Sequence, residues 1–284
     1  MGARQQLVKS YEPRPKKRLG QHFLRDKGVI DRIVRWIHPG PGDLILEIGA
    51  GDGALSRGLA SQAGRLLAVE LDLDCVPRLE AELAPFESAT VVSGDILRLD
   101  LRALLSGHLA PGLQLRIAGN LPYNIASAIL ERLFHAGLPV VDMFFMVQLE
   151  VAQRVLAKPG SRQYGFLSVN CQHHADVRMG FQVSPACFVP RPQVGSATVS
   201  FKPRASPLDP ALEPGFEALA KAAFSYRRKT LANSLARHPV LGKITAALLR
   251  HAGIDGTRRA EALSVAEYER LAQTFHDCFP AGRQ

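Results

Sequence analysis

Apolar positions along this chain follow two rhythms. Mainly apolar runs at Leu44 to Ile48, Arg65 to Val69, Ala89 to Val92, Leu113 to Ala118 and Asp142 to Val147 read as strands, that at Leu113 to Ala118 as a buried one. Between them, Gly28 to Ile37, Ala54 to Gln62, Leu73 to Leu83 and Ala126 to Phe134 place apolar residues three and four apart, which predicts helices. Strands alternating with helices predict an α/β fold, a mostly parallel sheet covered on both faces. Val177 to Phe181 and Ser196 to Phe201 are expected to close it as a hairpin-like pair. The Pro-rich stretch Lys202 to Pro210 breaks the pattern, and Phe216 to Phe279 shows only helical periods. Three segments are therefore expected: a basic arm over 1–20 carrying Arg14, Lys16, Lys17 and Arg18, an α/β domain over 21–204, and a small helical domain over 205–284.

The chemistry concentrates where strands end. Asn120-Leu121-Pro122-Tyr123 closes the fourth apolar run, and open α/β sheets place ligands at the carboxyl ends of their strands. The tetrapeptide suits methylation of an exocyclic amine on a nucleobase. The Asn120 amide oxygen can accept one amine proton. Pro122 fixes φ and has no N–H to compete, so a neighbouring carbonyl can accept the other. Tyr123 can stack on the base.

Glu47-Ile48-Gly49-Ala50-Gly51-Asp52-Gly53 joins the first strand to its helix, and Glu70 ends the second strand. Glycines allow close backbone approach to a ligand, and a carboxylate at that distance can accept ribose hydroxyls. Gly49-x-Gly51-x-x-Ala54 also fits a loose dinucleotide fingerprint, so a nicotinamide enzyme stays open at this point. Two features tilt the reading toward S-adenosylmethionine. Glu47 is expected to place negative charge where a pyrophosphate would be repelled. Asp95 offers a carboxylate to an adenine amino group.

Composition narrows the partners. The 284 residues carry 35 Lys+Arg against 26 Asp+Glu, a formal charge of +9 that suits a polyanion. Cys75, Cys171, Cys187 and Cys278 form no C-x-x-C pair, which argues against a disulfide scaffold or a cysteine-rich zinc site and suits a reducing cytoplasm. No apolar run reaches membrane-spanning length, and the basic N-terminus has no secretory apolar core.

Taken in order, Arg18-Leu19-Gly20-Gln21-His22-Phe23-Leu24, the glycine loop, Gly119-Asn120-Leu121-Pro122-Tyr123-Asn124-Ile125, Phe188-Val189-Pro190-Arg191-Pro192-Gln193-Val194-Gly195-Ser196, Arg227-Arg228-Lys229-Thr230-Leu231 and Arg259-Ala260-Glu261-Ala262-Leu263-Ser264 resemble the ribosomal RNA adenine N6,N6-dimethyltransferase family over nearly the whole chain. That family spans bacterial small-subunit enzymes, their eukaryotic counterparts and the erythromycin-resistance methylases. The resemblance implies a Rossmann-like methyltransferase sheet, mostly parallel with an antiparallel strand, followed by an all-helical C-terminal domain that grips RNA. It implies cofactor contacts at His22, Leu24, Gly49, Glu70, Asp95 and Asn120, to which the loop reading adds Glu47 and Gly51. His22 departs from the pattern, since many relatives carry Asn there. Asn120, Leu121, Pro122 and Tyr123 are the expected catalytic residues. Phe188, before a Pro-x-Pro turn, is expected to be held exposed and to sandwich the extruded adenine with Tyr123. Arg191, Arg227, Arg228 and Lys229 are expected RNA contacts.

The implied reaction dimethylates two adjacent adenines in the loop near the 3′ end of small-subunit rRNA, on the immature small ribosomal subunit, by a cytoplasmic monomer without a metal. Leu121 with Asn124-Ile125 is more similar to the housekeeping enzymes than to the resistance methylases. Rival readings are a resistance-type large-subunit rRNA methylase, a DNA adenine-N6 methylase, a non-catalytic assembly or transcription factor, and an NAD-dependent dehydrogenase.

Overall fold

The computed structural model describes residues 15, 16 and 19–279; Arg14, Lys17 and Arg18 of the expected arm lie outside them. Two compact units are present. The first gathers the chain up to Ala152 together with Val177–Pro203, and the second takes Gln153–Asp176 and the chain from Arg204 onward.

In the first unit, strand β1 (Phe23–Leu24) precedes helix α1 (Lys27–Ile37). The Asp26 side chain accepts the Val29 N–H and starts the helix, while His38 in the left-handed region (φ 53°) ends it. The main elements then follow: β2 (Asp43–Ile48), α2 (Ser56–Ala60), β3 (Arg65–Glu70), α3 (Val76–Leu83), β4 (Ala89–Ser93), α4 (Leu101–Ser106), β5 (Gln114–Asn120), α5 (Ala126–His135) and β6 (Val140–Gln148). Every residue of β2 is buried, as a central strand covered on both faces requires.

Three helices differ from the sequence expectation. α2 is shorter than 54–62, because Gly53 at φ 92° holds the preceding loop outside helical space. α3 starts only at Val76, with a proline in its first turn, where the missing N–H is not needed. α4 was not expected; Asp100 caps it by accepting the Arg102 and Ala103 N–H groups, both at 3.0 Å.

A seven-stranded sheet runs β4-β3-β2-β5-β6-β9-β7, with β7 (Ala175–Val183) and β9 (Ser196–Pro203) adjacent as expected. The contacts among β2 to β6 are parallel, and β6 pairs with β9 antiparallel. Between β7 and β9 the chain leaves this sheet, and β8 (Phe188–Val189) pairs antiparallel with β1. The strand order reverses between β2 and β5, so a crevice forms at their carboxyl ends.

Arg116 fastens the opposite ends of these strands. It donates to Asp142 at 2.7 and 3.0 Å, to Asp43 at 2.9 Å, and to the carbonyls of Ile37 and His38 at 2.8 and 3.1 Å. Burial works against this cation, yet its hydrogen bonds to both aspartates prevail and hold its pKa above the ordinary value.

The second unit holds helices α6 in part (Leu149–Val155), α7 (Phe166–His174), α8 (Glu213–Phe224), α9 (Leu231–Leu235), α10 (Thr245–His251) and α11 (Val265–Cys278). The second unit takes up the chain from Arg204, where the division was expected, and it also claims residues that precede the last strands of the sheet. Ala157, Tyr164 and Val169 pack into the same core as Phe216, Leu235, Leu248 and Tyr268, so residues 153–176 belong with the helical tail. α11 starts with a capping box in which Ser264 and Glu267 satisfy each other's backbone N–H.

Candidate active site

A pocket opens in the first unit at the carboxyl ends of β2, β3 and β5. Its lining includes His22, Gly49, Gly51, Glu70, Asp95, Asn120, Leu121, Pro122 and Tyr123, so nine of the sequence-predicted residues converge on one space. Gln21 lines it too and was not singled out from the sequence.

The glycine loop is held by backbone chemistry. Gly49 adopts φ 71° and its N–H donates to Val69 O at 3.0 Å. A Cβ there would stand 3.3 Å from Asn120 O, so glycine permits the close approach of loop and β5. Glu70, 6% exposed, accepts the Gly51 N–H and the Asp72 N–H, each at 2.7 Å. Burial raises its pKa, and these N–H donors oppose the rise without cancelling it. Each carboxylate oxygen has a second lone pair, so ribose hydroxyls can still be accepted. Asp95 accepts the Leu97 N–H at 2.9 Å, which makes it a turn residue and a pocket wall together.

Asn120 is the last residue of β5. Its Nδ2 donates to His22 O at 3.2 Å, which fixes the amide plane. Its Oδ1 is buried and has no hydrogen-bond partner. Such an acceptor costs about 1–3 kcal/mol when left unmade, and Asn120 is among the residues lining the pocket. Leu121 N–H is engaged by Met146 O at 3.0 Å, and the Pro122 carbonyl accepts from Ile125 N–H at 3.2 Å, which shapes the turn.

The Tyr123 hydroxyl meets Ser196 Oγ at 2.5 Å, and its ring stacks on His22 with centroids 5.1 Å apart. Burial raises the Tyr123 pKa, partly offset by Ser196. His22 Nδ1 lies 2.7 Å from Pro190 O. A carbonyl only accepts, so Nδ1 is the donor in this contact.

Three expected site residues stand elsewhere. Phe188 is 2% exposed and packs in the core beside Leu24, its β1 partner, so it is not the exposed aromatic the sequence suggested. Pairing of β8 with β1 turns its ring inward. Leu24 is likewise buried in the core and does not line the pocket. Glu47 is 1% exposed, and burial pushes its carboxyl up to about 8, with Ser56 opposing and Glu70 adding to the rise. Burial therefore disfavours the negative charge that the sequence reading assigned to Glu47.

The arm also differs from expectation. Lys16, expected as one cation of a basic arm, binds Asp72 at 2.5 Å and Asp74 at 2.6 Å. Gln21 donates to Asp72 Oδ2 at 2.8 Å and accepts the Lys16 N–H at 2.8 Å. Burial of Asp72 works against its charge, yet Lys16 and Gln21 hold its carboxyl below the ordinary range. The sequence signal for this cluster was the spacing Glu70, Asp72, Asp74 after a strand. Arg191 is exposed on the loop after β8, next to the Pro190 that holds His22. Arg227, Arg228 and Lys229 are exposed in the second unit and do not line the pocket.

A family model described as "Ribosomal RNA adenine dimethylase" matches residues 13–277. The chain belongs to the ribosomal RNA adenine dimethylase family. It is 44% identical to the ribosomal RNA small subunit methyltransferase A of Geobacter sulfurreducens, over 92% of this chain and 95% of that protein. It is 42% identical to the protein of the same name from Pseudomonas fluorescens, over 95% of this chain and 97% of the relative. A crystal structure of a dimethyladenosine transferase from Plasmodium falciparum shares the fold with a TM-score of 0.76 at 23% identity, covering 90% of this chain and 98% of that one. The mixed sheet of this dimethylase is therefore a Rossmann-like methyltransferase sheet, and its pocket occupies the ligand crevice of that fold.

Proposed function

We propose that this chain uses S-adenosylmethionine to dimethylate N6 of two adjacent adenines in the 3′-terminal hairpin loop of small-subunit rRNA, during small-subunit biogenesis. The unpartnered buried Oδ1 of Asn120 carries this reading, because it is an acceptor prepared for an amine N–H at a strand end facing a pocket. The small-subunit relatives at 42% and 44% identity favour it over a resistance-type large-subunit methylase or a DNA methylase. The reading takes the protein to act as a cytoplasmic monomer on the immature small subunit. Among the described residues no helix is long and apolar enough to cross a membrane.

The residues present fit the cofactor. Glu70 is placed to accept ribose hydroxyls, Asp95 to accept from the adenine amino group, and the Gly49 to Gly51 backbone to lie along the ligand. When bound, S-adenosylmethionine supplies an electrophilic methyl group on a sulfonium. Asn120 Oδ1 takes one N–H of the target amine and aims the nitrogen lone pair. Tyr123, tethered through its hydroxyl to Ser196, offers a fixed ring for the base. The 5.1 Å separation from His22 leaves no room for a base between the two rings. An entering adenine therefore stacks on an outer face or parts the pair. After transfer the amine is cationic and acidic, so its proton leaves to water without a dedicated base. Catalysis rests on orientation and on the preorganised acceptor. A monomethylated adenine still has one N–H, which Asn120 can hold for the second round. The target must leave its stack, which loop adenines do readily. Arg191, Arg227, Arg228 and Lys229 are taken as phosphate contacts.

The test supplies tritiated cofactor in parallel to unmethylated small subunits, large-subunit RNA and duplex DNA, maps labelled sites on the RNA by primer extension and identifies the product by digestion to nucleosides. Label in N6,N6-dimethyladenosine from two adjacent loop positions is expected. Label confined to large-subunit RNA or to duplex DNA overturns the proposal.

A further inference from the structure

The turn between α8 and α9 presents a feature that the methyl-transfer pocket does not use. Tyr226 is 44% exposed, and among the described residues it is the only exposed Phe, Tyr or Trp. Its backbone is fixed: the Tyr226 carbonyl accepts the Lys229 N–H at 2.9 Å and the hydroxyl of the buried Ser234 at 3.4 Å. Thr230 caps α9 by accepting the Asn233 N–H at 3.3 Å, which ends the turn sharply. An aromatic ring is therefore held at the surface on a short, pinned turn.

The surroundings are cationic. The Arg237 guanidinium lies over the Tyr226 ring, 5.0 Å from its centroid. Arg227 donates to Arg162 O, which holds its side chain against the neighbouring loop. Between Glu217 and Asp255 the sequence contains no acidic residue, while it carries Lys221, Arg227, Arg228, Lys229, Arg237, Lys243 and Arg250. A solvated helix face ordinarily mixes both signs, and this interval does not.

We propose that Tyr226 and Arg237 form a stacking site for one unpaired base of the substrate RNA, separate from the adenine that is methylated. Every base has a π-face, so an exposed ring among phosphate-binding cations takes single-stranded or looped nucleotides with little sequence preference. The guanidinium extends the platform by stacking and adds positive charge. Arg227, Arg228 and Lys229 hold the flanking phosphates, a step that rests on the RNA reading given above. The second unit thereby binds RNA by base capture in addition to charge.

The test measures binding of the full-length protein to protein-free small-subunit rRNA and to unmethylated small subunits, across a salt series, with cofactor affinity as the control for folding. Tyr226→Ala should weaken both RNA complexes roughly tenfold. Its salt slope should match the wild type, because no charge is removed. Tyr226→Phe should bind as the wild type does, since stacking needs no hydroxyl. Arg237→Gln should weaken binding and also flatten the slope. Wild-type affinity in Tyr226→Ala, or equal loss in the Phe variant, overturns the stacking site. Loss on assembled subunits alone assigns the face to a ribosomal protein and overturns it as well. Absence of salt-dependent rRNA binding by the wild type would instead defeat the functional reading on which the site rests.

Discussion

Asn120→Ala separates activity from stability. In the folded protein the Asn120 Oδ1 is buried without a partner, while Nδ2 holds His22 O at 3.2 Å. Truncation removes the orphan acceptor and so relieves a desolvation cost of about 1–3 kcal/mol. It also removes the donor to His22 O, worth about 1 kcal/mol. The balance lies between zero and about 2 kcal/mol in favour of the variant, so the melting temperature should hold or rise by no more than about 8 °C. Methyl transfer behaves differently. In the proposed mechanism the oxygen orients the amine, and losing one preorganised hydrogen-bonding group of this kind costs about 10²–10³-fold in rate. Single-turnover transfer from tritiated cofactor to unmethylated small subunits gives the rate. Equilibrium dialysis gives cofactor affinity, and filter binding gives RNA affinity. A rate within a few-fold of the wild type would refute the orienting role. A large fall in melting temperature would show that the oxygen is satisfied in the native state after all.

Further tests address other parts of the site. Glu70→Ala, which deletes the acceptor shared by Gly51 and Asp72, should weaken cofactor binding about ten- to a hundredfold, corresponding to roughly 1.5–3 kcal/mol; unchanged affinity by calorimetry would remove Glu70 from the ribose contact. Glu47 is raised from an ordinary 4.5 to about 8, so its contribution favours the native state fully below about 4.5 and is lost as pH rises toward 8. Glu47→Gln should lack that decline, and urea midpoints at pH 5, 7 and 9 that run parallel in the two proteins would contradict it. Gly119→Ala would place a Cβ 2.2 Å from Ile48 O, so it should cost about 4 kcal/mol or more, or prevent folding; a wild-type unfolding midpoint would show that β2 and β5 can part locally. Neutralising Arg227, Arg228 and Lys229 to Gln should lower the salt slope of RNA binding by about 2, at about 0.7 per phosphate contact, with cofactor affinity unchanged; an unaltered slope would exclude them as phosphate contacts.

The sheet was legible because its strands are nearly continuous apolar runs bounded by Gly, Pro and charged residues. The convergence of Gly49, Glu70, Asp95 and Asn120 was legible because a parallel sheet brings all carboxyl ends to one edge. Residues whose roles depend on exposure or protonation were not. Phe188 reads as a rigidly held exposed aromatic, and only the β1–β8 pairing reveals that it turns inward. Glu47 reads as a charge, but its ionisation depends on a burial that no local pattern reports. Residues 153–176 precede the last strands of the sheet in sequence, so their membership in the helical unit required knowing where Tyr164 and Val169 pack. Lys16 reads as one basic residue among several, and its binding to Asp72 and Asp74 depends on contacts more than fifty residues away.

Arg116 gives the two rims of the sheet different duties. By buckling Asp43 and Asp142 together at the rim remote from the pocket, it sets the alignment of three adjacent strands with a single side chain. The pocket rim is held separately, by the Leu121 N–H on Met146 O, the Asn120 donation to His22 O and the Tyr123–Ser196 contact. Side chains alternate across a sheet, so a slip of β5 by one position would swing Asn120 out of the crevice with no substitution among its lining residues.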